Sequence, residues 1–298
     1  AYLAGELFSL ETDPEIIDIL KDLKDDPEVN DEDRRAIELY YKKALDTVCI
    51  PKEEFVAFKK LCDESFDAWI LAKSKADYSI FEPYLKKVIE SQKKLYGYRS
   101  SDKSIYNQML DDYEPGMDEE KYDAFFNALK ERLVPLIGKV TKAKQINEDF
   151  LHQSFPIEDQ KKFMDDLLKY VHFDSSWGYQ NESEHPFTSW TCENDCRTTT
   201  KYIENNVASA ILSTVHEVGH AYYEHNIDPK YDGMILSEGV SSGMHESQSR
   251  LCENYLGRTM ACLLYNYPKL QSYFPKQLGD VSLEDFYKAI NVSKPSFV

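Results

Sequence analysis

Ser213-Thr214-Val215-His216-Glu217-Val218-Gly219-His220-Ala221 is the stretch on which the reading of this chain turns. Around it, Ala208, Ile211, Leu212, Val215, Val218, Ala221 and Tyr222 place apolar side chains on most sides of a helical period, the pattern of a buried helix. Burying two imidazoles and a carboxylate without partners is expensive, so the helix needs something to satisfy them. His216 and His220 are four apart and stand one turn above each other, where both can direct a ring nitrogen at one metal ion. Glu217 lies about 100° round the helix from His216. That makes it a poor third ligand but places it well beside a water held by the metal, as the base that takes its proton. An H-E-x-x-H pattern is expected by chance only about 0.01–0.02 times at the His and Glu frequency of this chain.

A catalytic zinc takes three protein ligands and leaves the fourth position for water, whose pKa it lowers to about 7. Downstream candidates for the third ligand are Glu224, His225, Glu238, His245, Glu246 and Glu253. The helix direction carries Glu224 and His225 away from the site. Glu246 sits in Gly243-Met244-His245-Glu246-Ser247-Gln248-Ser249-Arg250-Leu251, which reads as a second helix. The same helix is read as starting at Ser237-Glu238-Gly239, so Glu238 on its first turn remains a rival to the favoured Glu246.

Working outward, residues 205–226 and 236–265 read as helical, as does the stretch after Ser282-Leu283-Glu284-Asp285, a capping-box-like start. Upstream, from residue 14 to about 172, the pattern is repeatedly helical. Ile16, Ile17, Ile19, Leu20 and Leu23 share one face, and Ala36, Leu39, Tyr40 and Ala44 share another. Further helices are expected at 52–73, 80–97, 119–143 and 157–171, with Pro83 fitting only a first turn and Asp111 to Gly116 forming a turn. Between 172 and 203 short aromatic and β-branched runs alternate with Asn/Asp/Glu/Ser clusters, which predicts a small antiparallel sheet inserted among helices. The expected fold is mainly α: one multi-helix, zincin-like domain over 1–298, with the β insertion at 172–203 beside the active site.

Composition bounds the function. With 35 basic and 53 acidic residues the net charge is −18, which argues against nucleic acid as a partner. Hydrophobic content of 42% with 21 Tyr and 15 Phe is that of a globular chain. No apolar run reaches the roughly 18–20 residues needed to cross a bilayer, so no membrane partner is expected. Six cysteines without a secretory signal read as free thiols of a reducing, cytoplasmic compartment, although Cys192 and Cys196 have the spacing of half a zinc site. The start at Ala1 and the ending Phe297-Val298 read as the cut ends of a piece.

Several motifs in order resemble the carboxypeptidase Taq family of metallocarboxypeptidases. His185-Pro186-Phe187 is similar to its HPF element, and Asp195-Cys196-Arg197-Thr198-Thr199 to its D-x-R-x-T element. His216 to His220 and His245-Glu246-Ser247-Gln248 resemble its HExxH and HES/GQ elements, and Asp111 to Met117 a further family stretch. The likeness is strongest from 172 to 254. It implies Glu246 as the third metal ligand with His216 and His220, and Glu217 as general base and later proton donor to the leaving amine. It also implies His185 and Arg197 at the edge of the site and His245 over the substrate. Arg197 is free to pair with a substrate carboxylate unless Asp195, on the same side of a strand, satisfies it. For His245, a supporting place behind the ligands or a capping role stands equally beside the substrate role.

The resemblance implies a metallocarboxypeptidase acting on peptides with a free C-terminus, with zinc as the expected cofactor and cobalt or manganese open to the same donors. It further implies a homodimer and a chain longer than this one. Two alternatives remain at this point: an HExxH endo-oligopeptidase, and a metal-binding but catalytically incomplete fragment.

Overall fold

The computed structural model describes residues 2–192 and 194–294. Both ends read as cut, Ala1 and Phe297-Val298, lie outside the described residues. The chain divides into two compact units, Ala1–Asp123 and Ala124–Val298.

The first unit is all helical: α1 (Tyr2–Glu11), α2 (Pro14–Lys24), α3 (Asp31–Val48), α4 (Lys52–Lys75), α5 (Glu82–Tyr96) and α6 (Ile105–Tyr113). Side-chain caps define several starts: Asp13, Asn30 and Ser104 each accept a backbone N–H from the first turn. Pro83 occupies the first turn of α5, where its missing N–H breaks no helical bond. The core of this unit is thin and built around small residues, Ala36, Ala44 and Ala72, with Phe8, Ile50 and Leu95. The expected turn begins later than the sequence suggests, because Asp111 to Tyr113 complete α6. Asp111 then accepts the backbone N–H of Gly116, whose φ of 85° requires glycine.

The division between the units falls within α7 (Glu119–Val140). The second unit continues with α8 (Ile157–Tyr170), β1 (Gly178–Glu182), β2 (Thr188–Cys192), β3 (Asp195–Thr200) and α9 (Val207–His225). After α9 come α10 (Ser242–Arg250), a π-helical segment at Leu251–Gly257, α11 (Met260–Tyr273), α12 (Pro275–Leu278) and α13 (Leu283–Ile290). Phe155, Met164, Leu167, Val207, Val215, Leu270, Phe274 and Leu278 form the main core. A smaller cluster of Phe173, Trp177, Cys196, Val218 and Ala221 packs the sheet side of α9. Ser282 caps α13 as its capping-box-like sequence predicts.

Two expectations are corrected. The small sheet is mixed and not wholly antiparallel: its order is β1-β3-β2, with β2 antiparallel to β3 but β1 parallel to it. The tight β2–β3 hairpin brings β3 back between its two neighbours, so β3 runs in the direction of β1. Nor is 236–265 one helix. Ile235–Ser237 is a 3₁₀ turn, α10 starts only after its cap Ser241, and the helix widens to π-type from Leu251 to Gly257. Gly239 lies in the intervening loop, where a Cβ would approach the His245 ring to 2.6 Å.

Candidate metal centre

Helix α9 owes its burial to the apolar residues that surround its motif: Val215, Val218 and Ala221 are at most 1% exposed. Asn206 caps its start by accepting from the Ser209 N–H. Helix α10 lies directly against it, an approach that Gly219 permits. A Cβ at 219 would stand 2.7 Å from the Ser249 Cα and 2.9 Å from the Gln248 carbonyl oxygen. This contact sets Glu246 opposite the two histidines.

Among the described residues, His216, His220 and Glu246 form the one His/Cys/Asp/Glu group with the spacing of a metal site, its ligand atoms all within 4.8 Å of one another. Glu246 Oε2 is 3.3 Å from His216 Nε2 and 3.5 Å from His220 Nε2. Zinc bonds of about 2.0–2.1 Å at tetrahedral angles require ligand atoms about 3.4 Å apart. The donor set therefore fits a small divalent ion. Glu238, the rival ligand, is exposed in the loop before α10 and takes no part in this group.

Each of these three side chains is held from behind. His216 Nδ1 is 3.0 Å from Glu253 Oε2, and Glu253 also receives Arg250 at 3.0 Å and Arg258 at 2.6 Å. His220 Nδ1 lies 2.6 Å from His245 Nδ1, and His245 Nε2 lies 2.6 Å from Glu224 Oε1. Glu246 accepts from Arg250 Nε at 2.7 Å and from the Ser249 hydroxyl at 3.0 Å. Such outer partners orient metal-binding side chains and fix the histidine tautomer.

The electrostatics follow the packing. Burial lowers His216, but the hydrogen bond to Glu253 and the charges of Glu246 and Glu217 outweigh it and leave the pKa raised. His220 is pulled down to about 4, by burial first and then by His245 and His216. Burial pushes Glu253 up, yet the bonds to His216 and Arg258 hold it down at about 2. Glu217, only 6% exposed, has its pKa raised by burial against the opposing hydrogen bond from Thr188. The Thr188 hydroxyl reaches Glu217 Oε2 at 2.7 Å from the start of β2.

The site opens on a cleft of about 800 Å³ whose lining includes His185, Ser213, His216, Glu217, Glu246 and Arg250. This size suits a short peptide or comparable ligand. The other two expected substrate contacts are arranged differently. Arg197 is exposed and engaged by Asp195 through two bonds of 2.8 and 2.7 Å, and it does not line the cleft. His245 does not line it either and faces His220 and Glu224. Cys192 and Cys196 are free thiols, one exposed and one buried. Thr188, Arg250 and Arg258 were not singled out by the sequence. Thr188 directly follows the His185-Pro186-Phe187 element, the one signal that could have led to it.

Fold and site together are those of a helical metallopeptidase. The chain belongs to the carboxypeptidase Taq (M32) metallopeptidase family, whose profile matches residues 1–298. It is 38% identical to carboxypeptidase 1 of Bacillus subtilis over 99% of this chain and 60% of that protein. It is 32% identical to thermostable carboxypeptidase 1 of Thermus thermophilus, over 100% of this chain and 61% of that protein. Among solved structures, the BsuCP crystal structure matches with a TM-score of 0.94 at 37% identity, covering 100% of this chain and 60% of that one. The chain thus spans about three fifths of the length of these relatives. Membership of a metallopeptidase family implies a divalent metal, and no described helix is long and apolar enough to cross a membrane.

Proposed function

We propose that this chain carries the metal centre of a carboxypeptidase that removes the last residue from peptides with a free C-terminus. The observation that supports it most directly is the grouping of His216, His220 and Glu246 around one point, with the buried Glu217 beside it at a peptide-sized cleft. Zinc is the proposed ion, with cobalt or manganese as alternatives for the same donors; when bound it supplies a Lewis acid that polarises the scissile carbonyl and acidifies a water. His216 and His220 would hold the ion through Nε2, and Glu246 through a carboxylate oxygen. Glu217 accepts the proton of the attacking water and delivers it to the leaving amine. Its burial suits that work, because a carboxylate with a raised pKa gives up a proton less readily to bulk water and keeps it for the amine. The Thr188 hydroxyl aims it. His185, at the cleft, is the proposed substrate contact among the expected three. Arg197 is occupied by Asp195 and is not assigned one. The six free thiols accord with a reducing cytoplasmic compartment. A homodimer belongs to the same proposal and is checked by sedimentation.

The test combines metal analysis with cleavage of an N-blocked peptide and of its C-terminal amide. One equivalent of metal, cleavage of the acid but not the amide, and a loss of about 10²–10⁴-fold in Glu217→Gln are expected. Equal cleavage of the amide would replace the exopeptidase with an endo-oligopeptidase. Stoichiometric metal without any cleavage would reduce the chain to a metal-binding piece of the longer protein.

A further inference from the structure

Glu224 lies one helical turn beyond His220 on α9, away from the cleft lining, and the reaction proposed above makes no direct use of it. Its side chain is 11% exposed, and Oε1 stands 2.6 Å from His245 Nε2. The His245 ring is held tightly in place. Tyr223 packs on it edge-on at 5.0 Å and 89°, and the backbone at Gly239 approaches so closely that a Cβ there would meet the ring at 2.6 Å. In this orientation its Nδ1 faces His220 Nδ1, 2.6 Å away.

With both rings neutral, the proton count along this line follows from which nitrogen faces the ion. A neutral histidine carries one N–H, and a nitrogen that binds metal must be the bare one. His220 offers Nε2 to the ion, so its hydrogen sits on Nδ1 and points at His245. His245 must receive it, so its own Nδ1 is bare and its hydrogen is on Nε2. An acceptor beyond Nε2 holds that tautomer against the pull of the short contact at Nδ1, and Glu224 is the acceptor in place. We propose that Glu224 is a positioning residue for the metal centre: through His245 it selects the tautomer in which His220 presents a bare Nε2 to the ion. Without it, His245 is free to protonate Nδ1, and two N–H groups would then face each other across the short contact. This inference rests on the metal-centre reading above and extends it by two side chains.

The experiment uses nitrogen-15 histidine NMR on the metal-free chain, which reports the tautomer of each ring, together with cobalt(II) titration. In the wild type, His245 is expected to carry its hydrogen on Nε2 and His220 on Nδ1. In Glu224→Leu, which cannot accept, His245 is expected to move to the Nδ1–H form and cobalt to bind about 10-fold more weakly. In Glu224→Gln, whose amide oxygen can still accept, both are expected to return to within about threefold of wild type. The reverse proton placement in the wild type, or an unchanged His245 tautomer in Glu224→Leu, overturns the proposal. Because the tautomers are read without metal, a wild-type chain that binds no cobalt would defeat the metallopeptidase reading while leaving the relay separately judged. If the leucine variant does not fold, Glu224→Ala read by the same two measurements takes its place, with the same outcomes for and against the proposal.

Discussion

Behind His216 stands a carboxylate, and behind His220 stands another imidazole. Glu253 approaches His216 from the π-helical segment and is itself gripped by Arg250 and Arg258, so that side is charged, short and tied to the next stretch of chain. A π turn, rare in proteins and concentrated at functional sites, places Glu253 there in register with Arg250. The His220 side is longer: it passes to α10 at His245 and returns to α9 at Glu224. His245 directly precedes Glu246, the proposed ligand, so whatever moves α10 disturbs that relay and Glu246 together. The two sides therefore support the proposed metal centre by different means, one anchored by charge and the other by a hydrogen-bond circuit across two helices.

Matched substitutions break this comparison most directly. Glu253→Gln leaves His216 an amide oxygen but strips the charge that two guanidiniums share. Removing one partner from such a buried pair costs about 3–5 kcal/mol at the upper end, and outer partners of metal ligands are worth about 10–100-fold in affinity. Glu253→Gln is expected to show both a lower melting temperature and cobalt affinity reduced by at least about 10-fold. Glu224→Gln is expected to change neither by more than a small factor. Equal losses in the two variants, read by thermal unfolding and cobalt titration, would show that the two sides are not distinct.

Gly219→Ala tests the helix contact on which the His220 side depends. The added Cβ has no room against the backbone of α10 or, at 2.9 Å, against the Cβ of Cys252 in the π-helical segment, and overpacking of this kind costs about 1–3 kcal/mol. Moving α10 away lengthens the His220–His245 contact and withdraws Glu246, and the push on Cys252 reaches the neighbouring Glu253 as well. Stability is expected to fall by about that amount, with cobalt binding weakened roughly 10-fold. An alanine variant as stable as the parent would mean that the helices have slack where the structure has none.

Legibility in the sequence divides along the same line. His216, His220 and Glu217 were readable because a helix converts a spacing of four into one face, which needs no knowledge of the rest of the chain. Glu246 was readable only as the favoured member of a pair, since the choice against Glu238 depends on where α10 begins. That start is set by the Ser241 cap and by the loop at Gly239, which a helical period does not reveal. Glu253 was visible as a candidate ligand, but the π turn that makes it a partner of His216 has no signature in apolar spacing. The direction of β1 was misread because a hairpin pattern fixes neighbours in sequence, whereas β3 inserts between β1 and β2.

Thr188 offers the finest cut, because it contacts the proposed base Glu217 without touching either histidine. Thr188→Val keeps the shape of the side chain and removes the hydroxyl that donates to Glu217 Oε2. Burial already raises the pKa of Glu217, and the Thr188 bond is the first influence opposing it. Deleting the bond takes stabilisation from the charged carboxylate, so its pKa rises further and the active, deprotonated form appears only at higher pH. The acid limb of kcat/KM is therefore expected to move upward, with a loss of about fivefold for a bond worth about 1 kcal/mol. Metal affinity should stay unchanged, because the supports behind both histidines are intact. A downward shift of the limb would sink the assigned role of the hydroxyl, whereas weaker cobalt binding would mean that the base and the metal supports form one network instead of separable parts.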